Sequence, residues 1–138
     1  MEFPRFPRPY TSPMTNTGLI LFAHGARDAR WAEPFRRLQH KVEATQPGVP
    51  VTLAFLEFMT PDLPSAADAL IASGCRALRI VPVFLGQGGH LRQDLPALVT
   101  AIRARHPEIA VEVATAVGED DSVLDRMAEV CVAGVEIS

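Results

Sequence analysis

The stretch Leu19-Ile-Leu-Phe-Ala-His-Gly-Ala-Arg-Asp28 decides the reading of this chain. Leu19 to Ala23 form an uninterrupted apolar run, which suits a strand covered on both faces, as in a parallel sheet. The run stops at His24-Gly25, and a different period begins. Trp31, Phe35, Leu38 and Val42 recur at helical spacing with Arg36, Arg37 and Lys41 between them. An amphipathic helix to about Thr45 is therefore expected, ended by Pro47-Gly48.

Outward from there the same alternation repeats. Val51 to Leu56 is rich in β-formers and predicts a second strand. Thr60-Pro61 predicts a helix start, with Thr60 as cap and Pro61 in the first helical position. Leu63, Ala67, Leu70 and Ile71 line that helix, and Gly74 closes it. Ala77 to Phe84 predicts a third strand, in which Pro82 implies a bulge or a gap in the ladder. Beyond the loop Leu85 to His90, Leu95, Leu98, Val99 and Ile102 mark a helix to about Arg105. Ile109 to Ala114 is a fourth strand, and Ser122 to Val132 a last helix carrying Leu124, Met127 and Cys131. The order βαβαβαβα implies an α/β fold, a flavodoxin-like, doubly wound, parallel four-stranded sheet with right-handed crossovers. Ligands of such sheets bind outside the carboxyl ends of the strands.

Length and composition narrow the classes. At 138 residues the chain suits one domain, because halves would be too small to bury a good core. Apolar residues at 48% and charged residues at 21% are the mixture of an ordinary soluble globular protein. A net charge of −3 gives no basic footprint, so nucleic acid is not expected as a partner. No apolar run reaches membrane-spanning length, and no membrane partner is expected. Residues 1–16 read as a disordered proline-rich arm, since Pro4, Pro7, Pro9 and Pro13 interrupt any helix or ladder, and residues 17–138 as the single folded domain. Met14 is the natural start of that domain, and the arm is expected to be dispensable for folding. Cys75 and Cys131 form no CxxC pair and read as buried thiols of a reducing compartment, which makes the cytoplasm the expected location.

The chemistry-bearing residues fall where the fold predicts a ligand. His24 follows the first strand, Glu57 ends the second, and His90 lies in the loop after the third. A strand-end histidine or carboxylate can also simply cap a helix. Three proton-transferring or metal-binding groups at one sheet edge nevertheless single that edge out. Gly86, Gly88 and Gly89 around Gln87 allow close backbone approach and positive φ angles, and exposed N–H groups there favour an anion. Neither a phosphate-loop lysine nor a dinucleotide-type glycine spacing is present, so nucleotide binding is weakly supported. His40 on a charged helix face and His106 in a last helical turn read as structural.

Joined in order, Leu21-Phe-Ala-His-Gly-Ala-Arg-Asp28, Ala54-Phe-Leu-Glu-Phe58 and Val81-Pro-Val-Phe-Leu-Gly-Gln-Gly-Gly-His-Leu-Arg-Gln-Asp-Leu-Pro96 resemble the short, CbiX-type sirohydrochlorin chelatases, relatives in fold of ferrochelatase. The resemblance runs from Gly18 to Met127. It implies a metal-inserting lyase that places cobalt or iron in sirohydrochlorin on the routes to cobalamin or siroheme; a close branch handles nickel. It places the family's essential histidines on His24 and His90, as metal ligands and catalytic groups, and its acidic partner on Glu57. Neutral imidazole binds Co²⁺ and Fe²⁺ and accepts protons near neutral pH, and Glu57 can take a second proton or offset the metal's charge. Arg27, Arg30 and Arg92, with the backbone of Gly88 and Gly89, are then candidates for holding the carboxylate-rich macrocycle. The metal is a substrate, and no permanently bound cofactor is implied. Longer relatives contain two such units, so a twofold homodimer is expected to rebuild the missing lobe, with apolar helix surface from each subunit. The rival readings are a non-catalytic metal or tetrapyrrole carrier and a nucleotide- or flavin-binding module.

Overall fold

The apolar run that opens the domain lies at the middle of the sheet. In the computed structural model, which describes residues 16–86 and 88–136 and only the backbone of Gly89 and His90, β1 spans Thr17–Ala23. It pairs in parallel with β2 (Val51–Phe55) on one side and β3 (Ala77–Pro82) on the other, and β3 pairs in parallel with β4 (Ala110–Val113). The strand order β2-β1-β3-β4 reverses direction of growth at β1, as expected of a doubly wound sheet. Of the proposed arm, residues 1–16, all but Asn16 lie outside the described residues, as do Gln87 and residues 137–138; Asn16 belongs to the folded domain, its carbonyl accepting the Arg76 N–H at 2.7 Å.

Because β1 is flanked on both sides, its alternate residues face two different helix layers. Ile20 and Phe22 pack with Leu63, Ala67 and Leu70 of α2 (Leu63–Ala72) and with Leu91, Leu95, Val99 and Ile102 of α3 (Gly89–Arg105). Leu21 and Ala23 face the opposite layer, with Phe35, Leu38 and Val42 of α1 (Glu33–Thr45). The two layers are unequal. The first is fully buried; the α1 layer closes with partly buried side chains, and α1 has no buried residue. The last helix, α4 (Asp121–Val132), also buries no residue and rests mainly on a 3-10 turn at Val117–Glu119.

Several local expectations are corrected. Helix α2 begins two residues later than expected from Thr60-Pro61: its cap is Asp62, whose carboxylate accepts the Ser65 N–H at 2.9 Å, and Pro64 occupies the first turn. An extended aspartate accepts such an N–H as well as a threonine would, and Phe55 N–H is bonded to the Pro61 carbonyl, which keeps Pro61 outside the helix. Pro82 causes neither bulge nor gap. The Val83 N–H bonds to Phe22, whereas the Ile80 carbonyl accepts from Ala114, so the even-numbered side of β3 faces β4. That ladder has ended by residue 82, and the missing donor costs nothing there. Cys75 is buried as expected, but Cys131 is exposed because α4 does not lie on the sheet. His106 caps the end of α3 and pairs with Asp68 at 2.8 Å.

The Ser65 hydroxyl and N–H hold the Asp62 carboxyl below the usual carboxylate range. Its contribution to stability is therefore complete above the unfolded value near 4 and fades as pH falls through the lower folded value. Asp62→Ala is expected to cost about 1 kcal/mol at neutral pH, and Asp62→Asn much less. Urea titrations at pH 7 and pH 3 check this: the gap between wild type and Asp62→Ala should narrow at the lower pH.

Candidate active site at the carboxyl edge of the sheet

The pairing of β1 with β2 does not stop where the strands do. Ala23 and His24 offer their carbonyls to the N–H groups of Leu56 (2.9 Å) and Glu57 (3.1 Å), which adds two rungs beyond the ladder. These rungs carry the His24 and Glu57 side chains to one point, where His24 Nε2 lies 2.8 Å from Glu57 Oε2. An ionised carboxylate can only accept, so Nε2–H donates and Nδ1 keeps the lone pair. The two side chains are 49% and 39% exposed, which leaves the pair open to a ligand while its orientation is fixed.

Gly25 makes this approach possible. Its φ is +95°, and a Cβ at that position would lie 1.9 Å from the Glu57 carbonyl oxygen. Only glycine tolerates both the conformation and the contact. By contrast, Gly86 and Gly88 do not use the positive φ expected of them, and nothing lies within 4 Å of a Cβ built on either.

On the far side of Glu57 the backbone takes an unusual turn. Phe58 has φ +69°, a conformation that costs a bulky non-glycine residue about 1–3 kcal/mol. It turns the phenyl ring outward, 56% exposed, while Met59 packs inward against the α1 layer. The Arg27 guanidinium stacks over that ring, 4.5 Å from its centroid. Arg30 is held differently. Asp28 accepts from its Nη2 at 2.8 Å and from its Nε at 3.2 Å, and also caps the 3-10 turn Ala29–Ala32. The Arg30 side chain and backbone N–H hold the Asp28 carboxyl below its ordinary value, and Asp28 in turn raises that of Arg30. Arg30 thus commits one edge of its guanidinium, two of its five N–H donors, within the chain.

His90 belongs to the first turn of α3 and not to the preceding loop, as a correction to the sequence reading. Gly88, extended at φ −75° and ψ 165°, is the helix cap, and Arg92, exposed, returns its N–H to the Gly88 carbonyl at 3.1 Å. This turn follows β3, the neighbour of β1, so its backbone opens on the edge that carries His24. The His90 side chain lies outside what is described. Gly118, unnoticed in the sequence, braces the same loop: its N–H bonds to the Phe84 carbonyl at 2.8 Å, and a Cβ there would lie 2.1 Å from the Leu85 carbonyl oxygen. Phe58 and Gly118 left no readable signal, because one depends on a φ angle and the other on a contact between distant loops. Among the described residues no three of His, Cys, Asp and Glu gather into a group that could hold a metal ion.

A family model described as CbiX matches residues 18–132. A sirohydrochlorin cobaltochelatase from Methanocaldococcus jannaschii is 33% identical over 88 residues, which cover 64% of this chain and 62% of that protein. The chain thus spans under two thirds of the length of that relative. A crystal structure named for a cobalamin (vitamin B12) biosynthesis CbiX protein from Marinobacter aquaeolei VT8 superposes with a TM-score of 0.74 and 29% identity, over 83% of this chain and 93% of that one. SirB from Bacillus subtilis, solved with Fe³⁺, has a TM-score of 0.73 at 21% identity; 88% of this chain covers 48% of that one, a likeness of fold.

The Gly25 contact is open to a direct test. Gly25→Ala should destabilise the chain by at least about 2 kcal/mol, through the positive φ and the clash with Glu57. Denaturant unfolding measures the loss. A crystal structure of the variant should show the His24–Glu57 hydrogen bond lengthened or broken.

Proposed function

The chain belongs to the CbiX family, and we propose that it inserts a divalent metal, cobalt or iron, into sirohydrochlorin. The observation that carries this reading is the half-exposed His24–Glu57 pair at 2.8 Å on the ligand-binding edge of the sheet. Insertion exchanges one M²⁺ for two pyrrole protons. In this reading His24 Nδ1 accepts a proton or holds the incoming ion, and Glu57 fixes the tautomer and offsets the imidazolium charge. An open donor set suits a metal that must leave with the product, whereas a resident ion would call for a closed cage. His90, entering from the first turn of α3, is the second histidine of the pair. Gly86 and Gly88, with room beside each Cα, let the macrocycle come close to the backbone, and Arg92 stands one turn further on. Free cysteines, one of them exposed, accord with a reducing compartment such as the cytoplasm.

His24→Ala and His90→Ala are each expected to lower turnover by about 10²–10⁴-fold without unfolding the chain, and Glu57→Gln by less, since it keeps shape and one hydrogen bond. An absorbance assay with sirohydrochlorin and Co²⁺ or Fe²⁺ measures this. Near-wild-type rates in either folded histidine variant would overturn the assignment. A spectral change limited to one equivalent of protein would favour a carrier.

We also infer a twofold dimer. One sheet edge offers a broad, flat macrocycle a single wall, and burying such a ligand takes a cleft. The unpaired side of the unit carries an apolar patch: Leu124, Met127 and Val130 of α4 are exposed, beside a more polar cavity of about 440 Å³ lined by Arg79, Val81, Val117, Glu119, Asp120 and Val123. A longer chain such as SirB, roughly twice this length by its coverage, has room for a second unit beside the part that matches this chain. Leu124→Glu with Met127→Glu should therefore yield a monomer in sedimentation, with low turnover. Dilution of the wild type should lower specific activity in step with dissociation, and full turnover by a sedimenting monomer would refute the model.

A further inference from the structure

Beside the His24–Glu57 pair stands an arrangement that the reaction itself does not require. Phe58 directly follows Glu57, yet its ring turns away from the core into solvent, at a φ that a glycine would adopt freely. Leu56 and Met59, close neighbours along the chain, pack inward. A buried aromatic would have gained hydrophobic stabilisation, and an exposed one at a strained φ gains neither packing nor backbone ease. The compensating contact is Arg27, whose guanidinium lies 4.5 Å from the ring centroid.

A guanidinium held over an aromatic ring makes no conventional hydrogen bond to it, so its N–H donors remain available to a ligand. The two arginines that follow His24 are thereby sorted. Asp28 occupies the Nε edge of Arg30 in a two-point ion pair and fixes it there, whereas Arg27 is oriented by an apolar surface that takes none of its hydrogen bonds. An exposed ring face and a fixed cationic fork, side by side, match a ligand that is flat and conjugated in its middle and carboxylated at its rim. We propose that Phe58 and Arg27 form a substrate-positioning platform, in which the Phe58 ring packs against the macrocycle and holds Arg27 to receive a peripheral carboxylate. This rests on the chelatase reading given above. It adds Phe58 as a residue that sets affinity for the macrocycle and not for the metal.

The test separates the platform from both a structural role and the chelatase reading. Phe58→Gly removes the ring at a φ that glycine prefers, so the melting temperature should not fall. The KM for sirohydrochlorin should rise about tenfold, with kcat and the KM for Co²⁺ little changed, because the lost contact is made equally in ground and transition states. Phe58→Tyr should restore the macrocycle KM. Phe58→Leu, which keeps bulk without a π face, should lose most of the effect of a subsequent Arg27→Ala, showing that the two residues act as a unit. Titration of metal-free sirohydrochlorin, followed by its absorbance, gives the same comparison without turnover. If the wild type binds the macrocycle but inserts no metal, the chelatase reading fails while this titration still judges the platform. Unchanged macrocycle affinity in folded Phe58→Gly would overturn it, as would an equal loss of affinity for Co²⁺.

Discussion

Everything at the site depends on how closely the turn after β1 can approach the backbone after β2. Two hydrogen bonds beyond the ladder, from Leu56 to Ala23 and from Glu57 to His24, bring the turns into register, and the absent Cβ of Gly25 lets them touch. From that contact follow the Nε2–Oε2 hydrogen bond, the tautomer of His24 and the outward turn of Phe58. The arrangement is inexpensive because a parallel sheet ends its strands on one edge, so few loop residues need to be ordered to bring distant side chains together. Such an edge is preorganised, and a side chain fixed by its own sheet does not have to be reoriented when a ligand arrives.

The two faces of the sheet serve different ends. On the α2–α3 side, Phe22, Ile80, Leu63 and Ile102 are essentially sealed, and this layer supplies most of the apolar burial on which stability rests. On the other side α1 stands nearly alone, Arg79 and Glu112 form an exposed ion pair on the bare strands, and α4 carries an apolar stripe that meets no sheet. An exposed ion pair of this kind stabilises little. The thin face is therefore the less covered side of the sheet. The site and the thin face adjoin, since the turn bearing Gly118 contacts both the loop before α3 and the base of α4.

The fold was legible in the sequence because its signals are local. A continuous apolar run at Leu19–Ala23 and the helical spacing of Phe35, Leu38 and Val42 follow from the strand and helix periods alone, and their alternation leaves a parallel doubly wound sheet. His24, Glu57 and His90 were legible as candidates because strand ends fix where such residues emerge. What stayed hidden was every feature set by partners far apart in the chain. The capping of α2 moved from Thr60 to Asp62 because Pro61 is engaged by Phe55, and Pro82 fits the sheet because β4 ends before reaching it. Cys131 looked buried because its helix is amphipathic, yet amphipathicity states only that a helix has an apolar face and not what covers it.

By itself, then, the sequence determined the element order, the central strand and the residue types gathered at one edge. Tertiary structure alone decided that His24 meets Glu57, that Asp28 withdraws Arg30 while Phe58 presents Arg27, and that α4 stands off the sheet. The physical reason is range. Periodicity and propensity act over a few neighbouring residues, whereas a 2.8 Å hydrogen bond between positions 24 and 57, or a missing Cβ facing a distant carbonyl, exists only once the chain has closed on itself.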